Sequence, residues 1–182
     1  MTDRPIPIPE GLDVIDDYLG VVIRRKWFSH VVWFLAIFAI CWDSFLIGWY
    51  SMAGHVGKMG LMGWIFLIFP LGHVAVGVGL TYFCLCTFFN TTDILVRQDS
   101  LEIKTYPLPW IGSKVIPRQE LTGFLVRKKR TGGDNGHSTS YKLSYVDSMN
   151  REKTLLLDFS NREQTDYICR YLTEFYGLSA RS

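Results

Sequence analysis

Apolar positions follow two different patterns along this chain. Residues 27–50 and 61–90 are apolar at nearly every position, whereas apolar and polar residues alternate in short runs after residue 90. About 20 consecutive apolar residues, rising 1.5 Å each, cross the hydrocarbon core of a bilayer. Residues 27–90 therefore predict a transmembrane helical hairpin. The alternation that follows is typical of β-strands with one buried face.

Charge is almost absent from the predicted hairpin. The chain has 19 Lys and Arg and 17 Asp and Glu, and between residues 27 and 90 the only ones are Asp43 and Lys58. Arg24, Arg25 and Lys26 directly precede the first apolar stretch. Positive residues are retained on the cytoplasmic side, so we expect a multi-pass membrane protein with both termini cytoplasmic. A net charge of +2 is too small to indicate a nucleic-acid partner.

Four segments follow from these patterns: 1–26, 27–90, 91–178 and a short tail, 179–182. Pro5, Pro7 and Pro9 favour an extended leader at the N-terminus. Residues 12–26 are rich in Val and Ile and are broken by Gly20, a pattern compatible with a short β-hairpin that leads into the membrane.

Residues 91–178 predict a small antiparallel domain. We expect strands near 93–97, 101–106, 114–116, 121–129, 141–146 and 154–159, with a glycine-rich tip at 131–138. A helix follows: Asn161 caps it, Ile168, Leu172 and Phe175 form its apolar stripe, and Gly177 ends it. Six consecutive strands closed by one amphipathic helix favour a partly open β-barrel with the helix over one end. The predicted fold class is an α+β membrane protein, a transmembrane helical hairpin followed by this barrel and helix.

That layout resembles the pleckstrin-homology-like domains of bacteria, some of which follow a two-span hairpin. Several segments also resemble a bacterial family of two-span membrane proteins with such a domain: 27–28, 42–46, 69–80 and 107–110, the last reading Pro-Leu-Pro-Trp. The layout alone is similar to the photosystem I assembly factor family of cyanobacteria and chloroplasts. The resemblance to the bacterial two-span family covers about residues 12–178 and implies the bacterial inner membrane as the location. Neither family supplies catalytic residues.

Asp43 and His73 are the polar side chains within the spans that need an explanation. A charged group inside a span costs a few kcal/mol, about 3 on insertion scales, and such groups usually face a partner or a water path. Asp43 is either a proton or ion relay, a contact with another subunit, or a hydrated structural residue near the outer interface. His73 can carry protons, ligate haem or bond across helices. With the turn centred near His55, His73 is expected level with Ile37, some 9 Å deeper than Asp43 by helical rise.

Small residues predict where the two spans pack. Pro70 should kink the second span, and glycines allow a neighbouring helix to approach closely. The candidate packing residues are Ala36 and Ala39 on the first span and Gly72, Gly77 and Gly79 on the second.

Arg127, Lys128, Lys129 and Arg130 form the strongest basic run. On a domain held beneath a membrane, each such charge can gain roughly 1 kcal/mol from anionic headgroups. Adjacent residues of a strand alternate between faces, however, so the four cannot all reach one surface. A lipid contact and a solvated strand end remain equal alternatives.

The sequence contains no recognisable motif of a catalytic, metal-binding or cofactor-binding site. Cys41, Cys84, Cys86 and Cys169 form no CxxC pair. We therefore expect a non-catalytic membrane-anchored binding or scaffold protein, an accessory or assembly subunit of a larger inner-membrane complex. Its partners would be membrane lipid and either other membrane subunits or further copies of itself. The first alternative is a redox or proton-handling subunit that uses Asp43 and His73. The second is an anionic-lipid sensor that uses the basic run.

Overall fold

The computed structural model describes residues 7–56, 60–131, 138–159 and 161–178. They form two compact units: residues 27–90 make a helical unit, and residues on either side of it together make a β-rich unit. Lys58 and residues 132–137 of the expected tip at 131–138 lie outside the described residues.

The helical unit contains α1 (Val31–Val56), α2 (Leu61–Ile68) and α3 (Leu71–Phe89). α1 and α3 run antiparallel, since the rings of Trp33 and Phe88 lie 5.1 Å apart near the end of α3 and Trp42 Nε1 donates to the His73 carbonyl at 3.3 Å near its start. The stretches Val31–Ala53 and Trp64–Phe89 are both long and apolar enough to cross a membrane.

The expected kink at Pro70 is a break between two helices. α2 ends at Ile68, Pro70 precedes the first residue of α3, and the Val74 N–H then donates to the Pro70 carbonyl at 2.9 Å. Proline has no N–H to continue the ladder and its ring disfavours helical geometry in the preceding turn, so the chain stops one helix and starts the next at this position.

The β-rich unit has two antiparallel sheets and a terminal helix. The first sheet has the order β1 (Leu12–Asp17), β2 (Gly20–Lys26), β3 (Thr91–Arg97), β4 (Ser100–Tyr106) and β5 (Lys114–Pro117). The second has the order β6 (Gly123–Thr131), β7 (Ser138–Val146) and β8 (Glu152–Phe159), and α4 (Arg162–Phe175) packs on it. The central pairing is β2 with β3, in register from Gly20 opposite Arg97 to Lys26 opposite Thr91.

One apolar core joins both sheets and α4. The side chains in it that are completely buried come from β2, β3, β4, β6, β7 and α4: Ile23, Ile94, Val96, Leu101, Phe124, Leu143, Ile168 and Leu172. Alternate residues of each strand point to the same face, which is why the period of two in the sequence produces this core.

The structure confirms an α+β chain with two apolar helical stretches, antiparallel sheets and a C-terminal helix. It also shows that the sheets do not close: the described strands form two separate sheets rather than a barrel. The Lys114 ammonium on β5 donates to the Thr154 carbonyl on β8, a side-chain contact between these edge strands and not a strand ladder. Burial out of water lowers the pKa of Lys114.

α4 begins and ends where its signals indicate, with one difference on its apolar face. The Asn161 side chain accepts from the Glu163 N–H at 2.8 Å, and Gly177 follows the helix with φ +61. Phe175, expected in the stripe, is 37% exposed, whereas Tyr176 is 7% exposed and donates its hydroxyl to the Ser100 carbonyl. The chain turns at the helix end, and the turn brings Tyr176 rather than Phe175 onto the core.

Candidate functional site

Asp43 lies on the face of α1 that meets α3. Its carboxylate accepts a hydrogen bond from the Thr81 hydroxyl at 2.8 Å. The neighbouring Ser44 hydroxyl does not bond Asp43 but donates to the Ile40 carbonyl of its own helix at 2.7 Å. The carboxylate is therefore held across the helix pair by a side chain of the other helix.

His73 lies beside Trp42 rather than beside Ile37. The Trp42 and His73 rings stack with centroids 5.7 Å apart, and Trp42 Nε1 donates to the His73 carbonyl at 3.3 Å. The expected register was wrong because α1 continues to Val56 and α2 begins at Leu61, which moves the turn several residues beyond His55. His73 also contacts the Phe69 ring at 5.6 Å, so its ring packs between aromatic rings while Asp43 bonds Thr81.

The candidate small residues differ in what they touch. Ala39 is 3% exposed and Gly77 is buried, whereas Ala36 is half-buried. A Cβ on Gly77 would overlap the Asp43 carboxylate and lie 3.2 Å from Trp42 Cδ1. A Cβ on Gly72 or Gly79 would meet no atom of another residue within 4 Å. Gly77 is therefore the glycine at which the two helices approach most closely.

An open groove runs along the helix pair next to Asp43. Its volume is about 690 Å³, and Asp43, Tyr50 and Ser51 are its polar side chains. The rest of the wall is apolar and comes from both helices: Leu46 and Ile47 on α1, and Leu71, Val74 and Val78 on α3. The groove thus combines a large apolar surface with one carboxylate.

The basic run lies at the end of β6. Arg127 forms an ion pair with Glu152 on β8, with Nε 3.4 Å from the carboxylate. Lys128 is exposed, and the side chains of Lys129 and Arg130 lie outside the part of the structure that is described. Glu152 offsets the charge of Arg127. Because the run belongs to a strand that is paired with β7, successive side chains point to opposite faces of the sheet.

A polar cluster that joins three strands of the first sheet was not among the candidates. Arg24 donates to both oxygens of Asp93, from Nε at 2.8 Å and from its second terminal nitrogen at 2.9 Å, and the Tyr106 hydroxyl donates to the same carboxylate at 2.7 Å. In the sequence, Arg24 is explained by membrane topology alone. The sequence does show an acid, Asp93, in one predicted strand and basic residues, Arg24 to Lys26, in another. Only the pairing of β2 with β3 shows that Asp93 lies opposite Arg24.

This cluster changes the pKa of each member. Burial opposes the charged form of Asp93, but hydrogen bonds from Arg24 and Tyr106 and the charges of Arg24 and Lys104 outweigh it and lower the pKa of the carboxyl. Burial, together with the hydrogen bond and charge of Asp93, raises the pKa of Tyr106. The hydrogen bonds and charge of Asp93 raise the pKa of Arg24. The ion pair is thus fixed in its charged form and ties β2, β3 and β4 together.

A second carboxylate, Asp147, shapes the turn between β7 and β8. Its side chain is 2% exposed; one oxygen accepts from the backbone N–H groups of Met149 and Arg151, and the other contacts the side chains of Arg151 and Lys153. The backbone bond from Arg151 is the main cause that lowers the pKa of Asp147 to about 2. Its oxygens are occupied within the turn, so we assign it a structural role.

Among the described residues, no three His, Cys, Asp or Glu side chains are grouped so that they could hold a metal ion. The fold and these clusters define an α+β chain with two apolar helical stretches and a β-rich unit built from both flanking segments. No family model matches the chain, and no curated protein matches it.

Proposed function

We propose that this protein is a non-catalytic, membrane-anchored binding or scaffold protein, an accessory or assembly subunit of a larger inner-membrane complex. In this proposal α1 and the α2–α3 stretch span the bilayer, and the β-rich unit is a pleckstrin-homology-like module on the cytoplasmic side.

The pairing of β2 with β3 supports a two-pass anchor. β2 precedes the apolar helices in the chain and β3 follows them, yet the two strands pair along seven residues. Strands of one sheet must lie on one side of a membrane, so the chain between them crosses an even number of times. Two apolar stretches of 23 and 26 residues satisfy this condition with one crossing each.

The orientation makes a direct prediction. Arg24, Arg25 and Lys26 favour the cytoplasmic side for the β-rich unit. Green fluorescent protein fused after residue 182 should therefore be fluorescent in a bacterial host, and alkaline phosphatase fused there should be inactive. The same reporters inserted near Gly60, in the connection between the helices, should give the reverse result. An active phosphatase at the C-terminus would contradict the orientation.

The groove beside Asp43 is the observation that carries the partner proposal. Lipid tails can cover its apolar wall, but a carboxylate in hydrocarbon is stabilised by a hydrogen-bond donor or a positive charge. Thr81 supplies one bond to this carboxylate. We assign the groove to a transmembrane helix of another subunit, whose side chains fill it and whose donor reaches Asp43. Two helices enclose no substrate path by themselves, which favours an accessory role.

A matched pair of valines on α3 tests this assignment. Val78 lines the groove and is 65% exposed, whereas Val76 is 60% exposed and lies outside the groove lining. Val78→Trp should fill the groove and reduce recovery of the partner at least tenfold when the tagged protein is purified in mild detergent from its own membranes. Val76→Trp should leave recovery unchanged.

The partner must also be shown at the groove itself. A photo-crosslinking residue at position 78 should join the same stoichiometric membrane subunit that Val78→Trp loses, and one at position 76 should not. Equal cross-linking from both positions, or cross-linking to a second copy of this chain, would overturn the assignment.

A further inference from the structure

The loop between β4 and β5 contains an almost fully exposed isoleucine. Ile111 is 95% exposed, although Leu108 and Trp110 on the same loop are half-buried. Pro107 and Pro109 restrict the backbone before it, and the Ser113 hydroxyl accepts from the Thr105 N–H at 3.2 Å, which ties the two ends of the loop. The loop thus exposes one large apolar side chain to water. Burial of this side chain would be favourable, so its exposure is unfavourable for the isolated unit.

Strand register places this loop at one particular end of the first sheet. Lys26, Thr91 and Tyr106 are opposite one another on β2, β3 and β4, and the loop starts directly after Tyr106. Lys26 and Thr91 are also the residues bonded to the first and last residues of the helical unit. The bond from the Thr105 N–H to Ser113 holds the far end of the loop at the same end of the sheet. Ile111 is two residues before Ser113, and two extended residues reach about 7 Å. Ile111 therefore lies at the end of the sheet whose strands β2 and β3 are joined to the helical unit.

Charge differs between the two ends of this sheet. The end with the loop carries four bases, Arg24, Arg25, Lys26 and Lys104, against three acids, Glu10, Asp13 and Asp93, of which Asp93 is paired with Arg24. The opposite end carries three acids, Asp16, Asp17 and Asp99, against two bases, Arg97 and Arg118. Bases therefore outnumber acids at the first end, and acids outnumber bases at the second. Anionic headgroups attract the first end and repel the second.

We propose that Ile111 inserts into the headgroup region of an anionic leaflet, with Lys26 and Lys104 contacting lipid phosphates. This inference rests on the proposed membrane anchorage and adds a second lipid contact, made by the β-rich unit itself. An apolar tip flanked by basic residues combines burial of apolar surface with attraction to anionic lipid.

The test compares Ile111 with an equally exposed residue at the other end of the same sheet. Tyr18, at the tip of the β1–β2 hairpin, is 106% exposed. Ile111→Cys or Tyr18→Cys is introduced into the full chain together with Cys41→Ser, which removes the exposed native thiol. Each variant is labelled with an environment-sensitive fluorophore and reconstituted into vesicles that contain phosphatidylglycerol.

The label at 111 should shift to shorter wavelength, and spin-labelled lipids with the quencher near the headgroup should quench it at least threefold more than the label at 18. In vesicles of phosphatidylcholine alone the quenching at 111 should fall. Equal quenching at 111 and 18 would overturn the proposal, and equal quenching at 111 in both lipids would overturn the role of the basic residues. Carbonate extraction of the same vesicles tests anchorage separately. If the protein is retained but the label at position 111 is not quenched, only the lipid contact of Ile111 is contradicted. If the protein is extracted, the proposed anchor is contradicted.

Discussion

Replacing Gly77 by leucine is expected to separate α1 from α3, whereas Gly79→Leu should leave the pair intact. A side chain at 77 overlaps the Asp43 carboxylate and reaches Trp42, while a side chain at 79 enters open space. Overpacking of a well-packed contact costs roughly 1–3 kcal/mol, and loss of the bond between Thr81 and Asp43 adds about 0.6 kcal/mol, an average for interhelical bonds in membranes. We expect Gly77→Leu to destabilise the helix pair by about 2–3 kcal/mol.

Cys84 provides the measurement. It lies seven residues after Gly77 on α3 and is 5% exposed, so its reaction with N-ethylmaleimide reports opening of the helical unit. In mixed micelles of dodecyl maltoside and SDS, Gly77→Leu should lower the SDS fraction at which Cys84 reacts, and Gly79→Leu should not. Equal effects of the two substitutions would show that Gly77 is not at the contact.

The carboxylate itself can be separated from the rest of the contact. Gly77→Ala adds one methyl group, which meets Asp43, and Asp43→Ala removes the group that it meets. The two changes should be coupled, so that the double variant is more stable than the sum of the single effects predicts. Additive effects would mean that Trp42, rather than Asp43, limits the approach.

The contrast between these glycines shows what the sequence could predict of the helical unit. Helical periodicity assigns Gly72 and Gly79 to one face and Gly77 to the next one, but it does not say which face meets α1. That choice depends on the register of the hairpin, and the register depends on where α1 ends. An error of a few residues in the expected position of the turn placed His73 beside Ile37, whereas the structure places it beside Trp42.

In the β-rich unit, too, local features were predicted from the sequence and long-range features were not. Alternation predicted each strand after residue 90, and Asn161 and Gly177 predicted the ends of α4, because strand faces and helix caps depend on residues a few positions apart. The bond between Arg24 and Asp93 joins residues separated by 69 positions. It exists because β2 and β3 pair across the whole helical unit, and no local pattern contains that pairing. Closure of the sheets into a barrel is likewise a long-range property, and the described strands do not show it.

Arg24→Met should be the most damaging change of charge in the β-rich unit. It leaves the Asp93 side chain, 11% exposed, without its guanidinium partner. Removal of one member of a buried ion pair costs 3–5 kcal/mol; the Arg24 side chain is 36% exposed and partly screened by water, so we expect about 2 kcal/mol. Urea titration of the full chain in dodecyl maltoside, followed by circular dichroism, measures the loss.

Two controls separate the ion pair from a general effect of lost charge. Arg97→Met removes an arginine of the same sheet whose terminal nitrogen lies 3.8 Å from Glu102, a looser and more exposed pair that should cost less than about 1 kcal/mol. The double variant Arg24→Met with Asp93→Leu replaces both charges by apolar groups and should recover most of the lost stability. If the double variant is no more stable than Arg24→Met, then an unpaired carboxylate is not the cause.

Comparison of the wild type with the same double variant measures how the stability contributed by the ion pair depends on pH. The pKa of Asp93 is lowered in the folded protein, so the folded state binds protons at this site less readily than the unfolded state does. Its contribution to stability is therefore complete above the unfolded pKa of about 3.9 and is lost as the pH falls from there through the lower folded pKa. The difference in unfolding free energy between the wild type and the double variant should be constant from pH 7 to about pH 5 and should shift against the wild type below about pH 4. Other carboxylates, Asp147 among them, titrate in both proteins and cancel in the difference. A difference that stays constant down to the acid limit would mean that Asp93 is not held by Arg24 in the folded protein.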